Sequence, residues 1–171
     1  MKTGKSEQEL AAEILRISKM SHDYIAPTRM LEYADDPEQG IMVRFGDHSF
    51  KPNRLFDSQV ATFTRIPNEY VDRLREKEPA LLLTNFNAWL HRDTGRRMIR
   101  TAGPTARAFL SESFRPLDNA ALFEAVYPVL KKYELETVSA EVTDRNLYIK
   151  AVNKKVEGEV KVGDVVQAGV V

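Results

Sequence analysis

The chain has 171 residues, no cysteine, and 25 basic residues against 25 acidic ones. The missing cysteine excludes disulfides, thiolate chemistry and cysteine-based zinc or iron–sulfur centres. The charge balance excludes a global field that would draw the whole surface to nucleic acid or to an anionic membrane, so any such partner must be held by a local patch.

At 43% apolar residues, a chain of this length can bury a real core. Residues Met1 to Gln8 are polar and lack the apolar segment of a signal peptide. The longest aliphatic run, Ala80 to Leu83, is far short of the roughly 20 residues of a membrane span. The expectation is a cytoplasmic protein with no membrane partner.

Ser6-Glu7-Gln8-Glu9 fits a capping box, and Leu10, Ile14 and Ile17 follow at helical spacing, which predicts an amphipathic helix over about 6–20. Thr28 to Ala34 reads as a strand. Asp35-Asp36-Pro37-Glu38-Gln39-Gly40 reads as a turn, and Ile41 to Phe45 as the returning strand of a hairpin, closed by Gly46-Asp47. Asn53 caps a helix carrying Phe56, Val60 and Phe63. Pro67 and Pro79 each suit the first turn of a further helix, where a missing amide costs little. The last of these has an apolar face of Leu82, Phe86 and Trp89 or Leu90, with Trp89 and Phe86 read as core anchors. It ends at Asp93-Thr94-Gly95.

Arg97 to Thr101 and Thr105 to Leu110 flank Gly103-Pro104 and predict a second hairpin. Asp118 caps a helix over Asn119 to about Tyr133, with Pro128 inside it as a kink or break. Thr137 to Thr143 and Leu147 to Val152 flank Asp144-Arg145-Asn146 as a third hairpin. Val165 to Val171 forms a last strand after Gly163-Asp164. Hairpins separated by helices predict an α+β fold, a mainly antiparallel sheet with helices packed on one face. No linker is evident, so the reading is one domain over 1–171. Its apolar terminal strand either pairs inside the sheet or is left open to self-association.

Several blocks, in this order, resemble one family. They are Asp23-Tyr24-Ile25-Ala26-Pro27-Thr28; Ile66-Pro67 to Tyr70 with Glu78-Pro79-Ala80-Leu81-Leu82; Asn87-Ala88-Trp89-Leu90; and Arg100-Thr101. Then come Arg107-Ala108-Phe109-Leu110-Ser111, Phe114-Arg115-Pro116-Leu117-Asp118-Asn119, and Gly163-Asp164-Val165-Val166-Gln167-Ala168-Gly169-Val170. Over about residues 20–171 the chain looks like the phage/plasmid-related proteins of domain-of-unknown-function family nine-three-two. The resemblance implies a gene carried by phages, prophages or plasmids, and no particular activity. Members usually continue into further strands and an Asn-Gly-containing motif, so it also implies a chain lacking its C-terminal part.

Charge is uneven within the neutral total. Between His91 and Arg115 stand Arg92, Arg96, Arg97, Arg100, Arg107 and Arg115 against Asp93 and Glu112, a local surplus of four. Arginine forks onto phosphate and stacks on bases, and Trp89, Phe109 and Phe114 lie within or beside the stretch, as a single-strand binder requires. Arg96, Arg97, Arg100, Arg107 and Arg115 are the candidate nucleic-acid-binding residues. Strand alternation puts Arg97 and Arg100 on opposite faces, which argues against one continuous stripe. The competing reading is a solvated hairpin whose arginines pair with nearby acids. Arg115, just ahead of the helix that Asp118 caps, also borders a potential phosphate site, although Asp118 itself repels an anion.

His22, His48 and His91 stand in different elements with no metal-ligand spacing. Nucleophile-elbow, phosphate-loop and dinucleotide fingerprints are absent, so no catalytic residue, metal or cofactor is assigned. The expected function is nucleic-acid binding, with single-stranded DNA as the guessed ligand, in replication or recombination of a mobile element. The alternative is a non-enzymatic interaction or structural module of a phage or plasmid. An enzyme ranks last, and a buried carboxylate or histidine of shifted pKa in a cleft would revive it.

Overall fold

A computed structural model describes residues 6–143, 146–161 and 164–170. The turn residues Asp144 and Arg145, Gly163, and the terminal Val171 lie outside the described residues. The chain divides into two compact units, Met20–Arg115 on one hand and Met1–Lys19 with Pro116–Val171 on the other. This is a division that the reading of one domain over 1–171 did not draw.

The Met20–Arg115 unit is built on a six-stranded sheet: β1 (Ser21–Pro27), β2 (Glu32–Asp36), β3 (Gly40–Phe45), β4 (His48–Pro52), β5 (Arg96–Ala102) and β6 (Thr105–Ser111), in spatial order β1-β5-β6-β4-β3-β2. All pairs are antiparallel except β4 with β6, where Lys51 and Pro52 run parallel to Thr105 and Ala106. The expected α+β class with a mainly antiparallel sheet is therefore what the chain forms. Two corrections fall at its start. Thr28–Met30 is a 3-10 turn rather than the beginning of a strand, and the strand begins at Glu32. Ser21–Pro27, with mixed polarity and no alternation to betray it, is a full strand because β5 offers it seven consecutive partners.

Three helices fill the gap between the strands: α2 (Arg54–Thr64), α3 (Asn68–Lys77) and α4 (Pro79–Leu90). The helix at the head of the chain is α1 (Glu7–Met20). Asn53 caps α2 as expected, its Oδ1 accepting from the Phe56 amide at 2.9 Å. Phe56, Val60, Val71, Leu74, Leu82, Phe86 and Leu90 bury against Val43, Phe45, Ile99 and Phe109 on one face of the sheet. The apolar stripe of α4 is Leu82, Phe86 and Leu90. Trp89, one position round the helix, is 50% exposed and lies outside the core, against the expectation that it anchors it.

β2 ends the strand order, so its outer edge has no strand partner among the described residues. Asn87 of α4 supplies one there: its Oδ1 accepts from the Tyr33 amide at 2.8 Å and its Nδ2 donates to the Tyr33 carbonyl at 2.8 Å. One side chain thus satisfies two backbone groups of a buried residue, each of which would cost about 1–3 kcal/mol unpaired. It also pins α4, and with it Trp89, to the sheet.

The other unit joins α1, α5 (Asn119–Lys132) and a three-stranded antiparallel sheet of β7 (Glu136–Val142), β8 (Leu147–Lys161) and β9 (Asp164–Val170) in the order β7-β8-β9. The capping box forms, with the Ser6 amide donating to Glu9 Oε2 at 2.7 Å and the Glu9 amide donating to Ser6 Oγ at 3.3 Å. Leu10, Ile14 and Ala140 are its buried centre, with Phe123, Val142, Leu147 and Ile149 packed round them. α5 runs through Pro128 without ending. β9 pairs with β8 and closes the strand order. No helix among the described residues is long and apolar enough to cross a membrane.

Candidate nucleic-acid interface

The five arginines picked out by the sequence lie on the β5–β6 hairpin and just beyond it, but they do not converge. Arg100 pairs in register with Asp23 of β1 and Ala108 of β6. Its side chain is 10% exposed and its Nε donates to Asp23 Oδ1 at 2.8 Å. Arg100 is thus already ion-paired and mostly buried; reaching a phosphate would mean breaking its pair with Asp23, a partly exposed carboxylate. Arg97 faces the other way, as alternation requires. Its guanidinium carbon sits 4.2 Å from the ring centroid of Phe63 and 5.6 Å from that of Phe109. The buried Arg97 Nε has no hydrogen-bond partner among the described residues, so the charge is held by two ring faces instead.

Arg96 lies 3.9 Å from Glu112, with both side chains more than half exposed. Such a pair is worth little. Arg107 is the extra residue of a bulge, half-buried between Ala106, which pairs with Thr101, and Ala108, which pairs with Arg100. Arg115 is exposed and contacts its own turn, Nη1 donating to the Ser113 carbonyl at 3.4 Å. The local surplus is therefore spread over several directions, and one of its members is already neutralised.

A different arginine cluster is assembled by the helices. An open groove of about 640 Å³ runs between the α2–α3 connection and the end of α4, lined among others by Phe63, Arg65, Pro67, Tyr70, Trp89 and Arg92. Arg92 lies over the Trp89 indole at 5.6 Å and Arg73 over the Tyr70 ring at 5.2 Å, while Arg97 caps Phe63 from the sheet. The lining carboxylate, Asp93, is turned onto its own loop, where its Oδ2 accepts from the Gly95 amide at 3.1 Å. The groove lining thus holds two guanidinium groups, three aromatic rings and one carboxylate, and two further guanidinium groups, those of Arg73 and Arg97, lie over two of the rings. An exposed ring, here Trp89, with arginines beside it is the surface chemistry that single-strand binders use.

Arg65 holds the most telling backbone in the groove. It closes α2 at φ 58°, ψ 31°. The Ile66 amide donates to the Ala61 carbonyl at 2.9 Å and the Arg65 amide to the Thr62 carbonyl at 3.3 Å, the paired bonds of a helix end that normally places glycine at this position. An arginine there is strained by its Cβ. Strained backbone of this kind gathers at functional sites. No sequence signal marks it, because a left-handed arginine leaves no compositional trace. The legible signal was Trp89 at the end of α4 with Arg92 three residues on, in the turn that follows.

A second cleft, of about 380 Å³, is lined by Arg54, Asp57, Asp72, Arg75 and Glu76 together with Pro52. Asp57 lies buried at its floor, and burial pushes its carboxyl above the usual range against the pull of Arg75. This is the kind of group that reopens the question of catalysis. However, both of its oxygens are occupied: Oδ1 accepts from Tyr33 Oη at 2.9 Å and Oδ2 is bound by the Arg75 guanidinium. The Tyr33 hydroxyl is in turn held well above its ordinary pKa by burial and by Asp57. The trio ties β2, α2 and α3 together. His22 and His48, distant in sequence, flank the Tyr24 ring at 6.4 and 4.6 Å between centroids, yet no group of three or more metal-ligating side chains forms among the described residues.

Fold and groove together define an α+β protein with a mainly antiparallel sheet that carries an aromatic, arginine-rich surface groove on its helical layer. The chain matches no family model, no curated protein and no solved structure. The resemblance to family nine-three-two stands on its residue blocks alone.

Proposed function

We propose that this protein binds nucleic acid and serves replication or recombination of a phage or plasmid. The observation that carries the reading is the groove lined by Arg65, Arg92, Phe63, Tyr70 and Trp89, with Arg73 and Arg97 lying over the Tyr70 and Phe63 rings. The mobile-element context rests on the family resemblance. Of the hairpin arginines, Arg97 belongs to this surface through Phe63, and Arg100 acts by holding β1 to β5. Anisotropy of a labelled oligonucleotide tests the reading. Binding is expected at low salt and should weaken with a slope of about −2 to −3 in log K against log salt, as for three or four phosphates on a single strand. Absence of salt-sensitive binding ends the proposal.

A second reading, a structural module that associates through its C-terminal strand, is favoured by the position of β9 at the end of its sheet. Strand addition to an open edge is an established docking mode. It predicts a dimer in light scattering that a proline at Gln167, inside β9, converts to monomer. A monomer at all concentrations rejects it.

A further inference from the structure

Resting on the proposed nucleic-acid reading, we infer that the groove takes an unpaired base, stacked on the Trp89 indole, with Arg65 and Arg92 on the flanking phosphates, and that the ligand is therefore single-stranded. Trp89 is half exposed although Phe86 and Leu90, its neighbours on α4, are completely buried. The core therefore does not need it. Its indole is covered instead by Arg92, three residues on. A cation–π contact at an exposed site is weak and readily exchanged, and a nucleobase is the stronger stacking partner for the same ring.

The opposite wall supports the assignment. Arg65 projects from a backbone position that favours glycine, beside Phe63 and Tyr70. Arg97 and Arg73 lie over those two rings. The groove thus offers one half-exposed ring, with guanidinium groups on both sides of it. A duplex keeps its base faces inside the stack and shows a protein only edges and backbone, so it could use the arginines but not the ring. An unpaired strand uses both.

Trp89 is the single tryptophan of the chain, so its fluorescence reports on this groove alone. Titration of the full chain with a short oligothymidylate should quench that emission saturably, and a duplex of equal length should bind at least about tenfold more weakly. Trp89→Ala should weaken oligothymidylate binding about tenfold or more, and Trp89→Phe, which keeps an aromatic face, should restore most of it. Circular dichroism checks that both variants remain folded, as expected for a residue outside the core. If single strand and duplex bind equally and Trp89→Ala changes nothing, the stacking inference is overturned while nucleic-acid binding stands. If neither polymer binds, both fall together.

Discussion

Replacing Arg75 by alanine should destabilise the fold by about 2–3 kcal/mol at neutral pH, and the loss should shrink as the solution is acidified. Asp57 is buried, and Arg75 is the cation that compensates it. Removing one member of a buried pair commonly costs about 3–5 kcal/mol, and the partial exposure of Arg75 lowers that figure here. Burial already holds the Asp57 carboxyl above its ordinary value in the presence of Arg75. The folded protein therefore keeps this proton to higher pH than the unfolded chain does, and the Asp57 contribution to stability falls as pH rises from about 4 through that interval. Without Arg75 the interval extends further upward, since the guanidinium is the largest influence drawing that pKa down. Urea unfolding of the two proteins side by side should show a deficit that grows from pH 4 towards pH 7. A deficit independent of pH would mean that Arg75 acts by packing rather than by charge.

Arg65→Gly should do two opposite things. It should stabilise the Met20–Arg115 unit by about 0.5–1 kcal/mol, because glycine meets no Cβ penalty in the left-handed conformation and gives back only part of that gain as chain entropy. The corresponding rise in the Tm of that unit is about 2–8 °C. It should also weaken oligonucleotide binding and lower the salt slope by about one unit, as loss of one phosphate contact requires. Opposed signs are what a residue kept for function at a strained position produces. Calorimetry and anisotropy on one preparation decide it. Unchanged binding in a more stable variant would remove Arg65 from the interface.

Much of the fold was legible because it is local. The capping box at Ser6, the Asn53 cap and the Gly103 turn at φ 56° each satisfy backbone demands within a few residues. The hairpin strands around Gly103 were legible from that turn, although their burial runs on rather than alternating. Two strands escaped. Ser21–Pro27 and His48–Pro52 are short and mixed in polarity, and they are strands only because β5, β3 and β6 pair with them. The opposite orientation of Arg97 and Arg100 was legible from alternation alone. That one would rest on aromatic rings and the other on Asp23 was not, since Asp23 and Phe63 lie far away along the chain.

The same divide runs through the candidate site. The amino-acid sequence determined the charge balance, the missing cysteine, the helix ends and the α+β class, all of which follow from composition and from contacts a few residues apart. Tertiary structure decided which arginines share a surface. It turned Leu90 rather than Trp89 into the core, and it carried the end of α2 to the end of α4. The groove draws its rings and charges from segments that meet only once the helices have packed on the sheet, and no pattern along one segment records which others will be its neighbours.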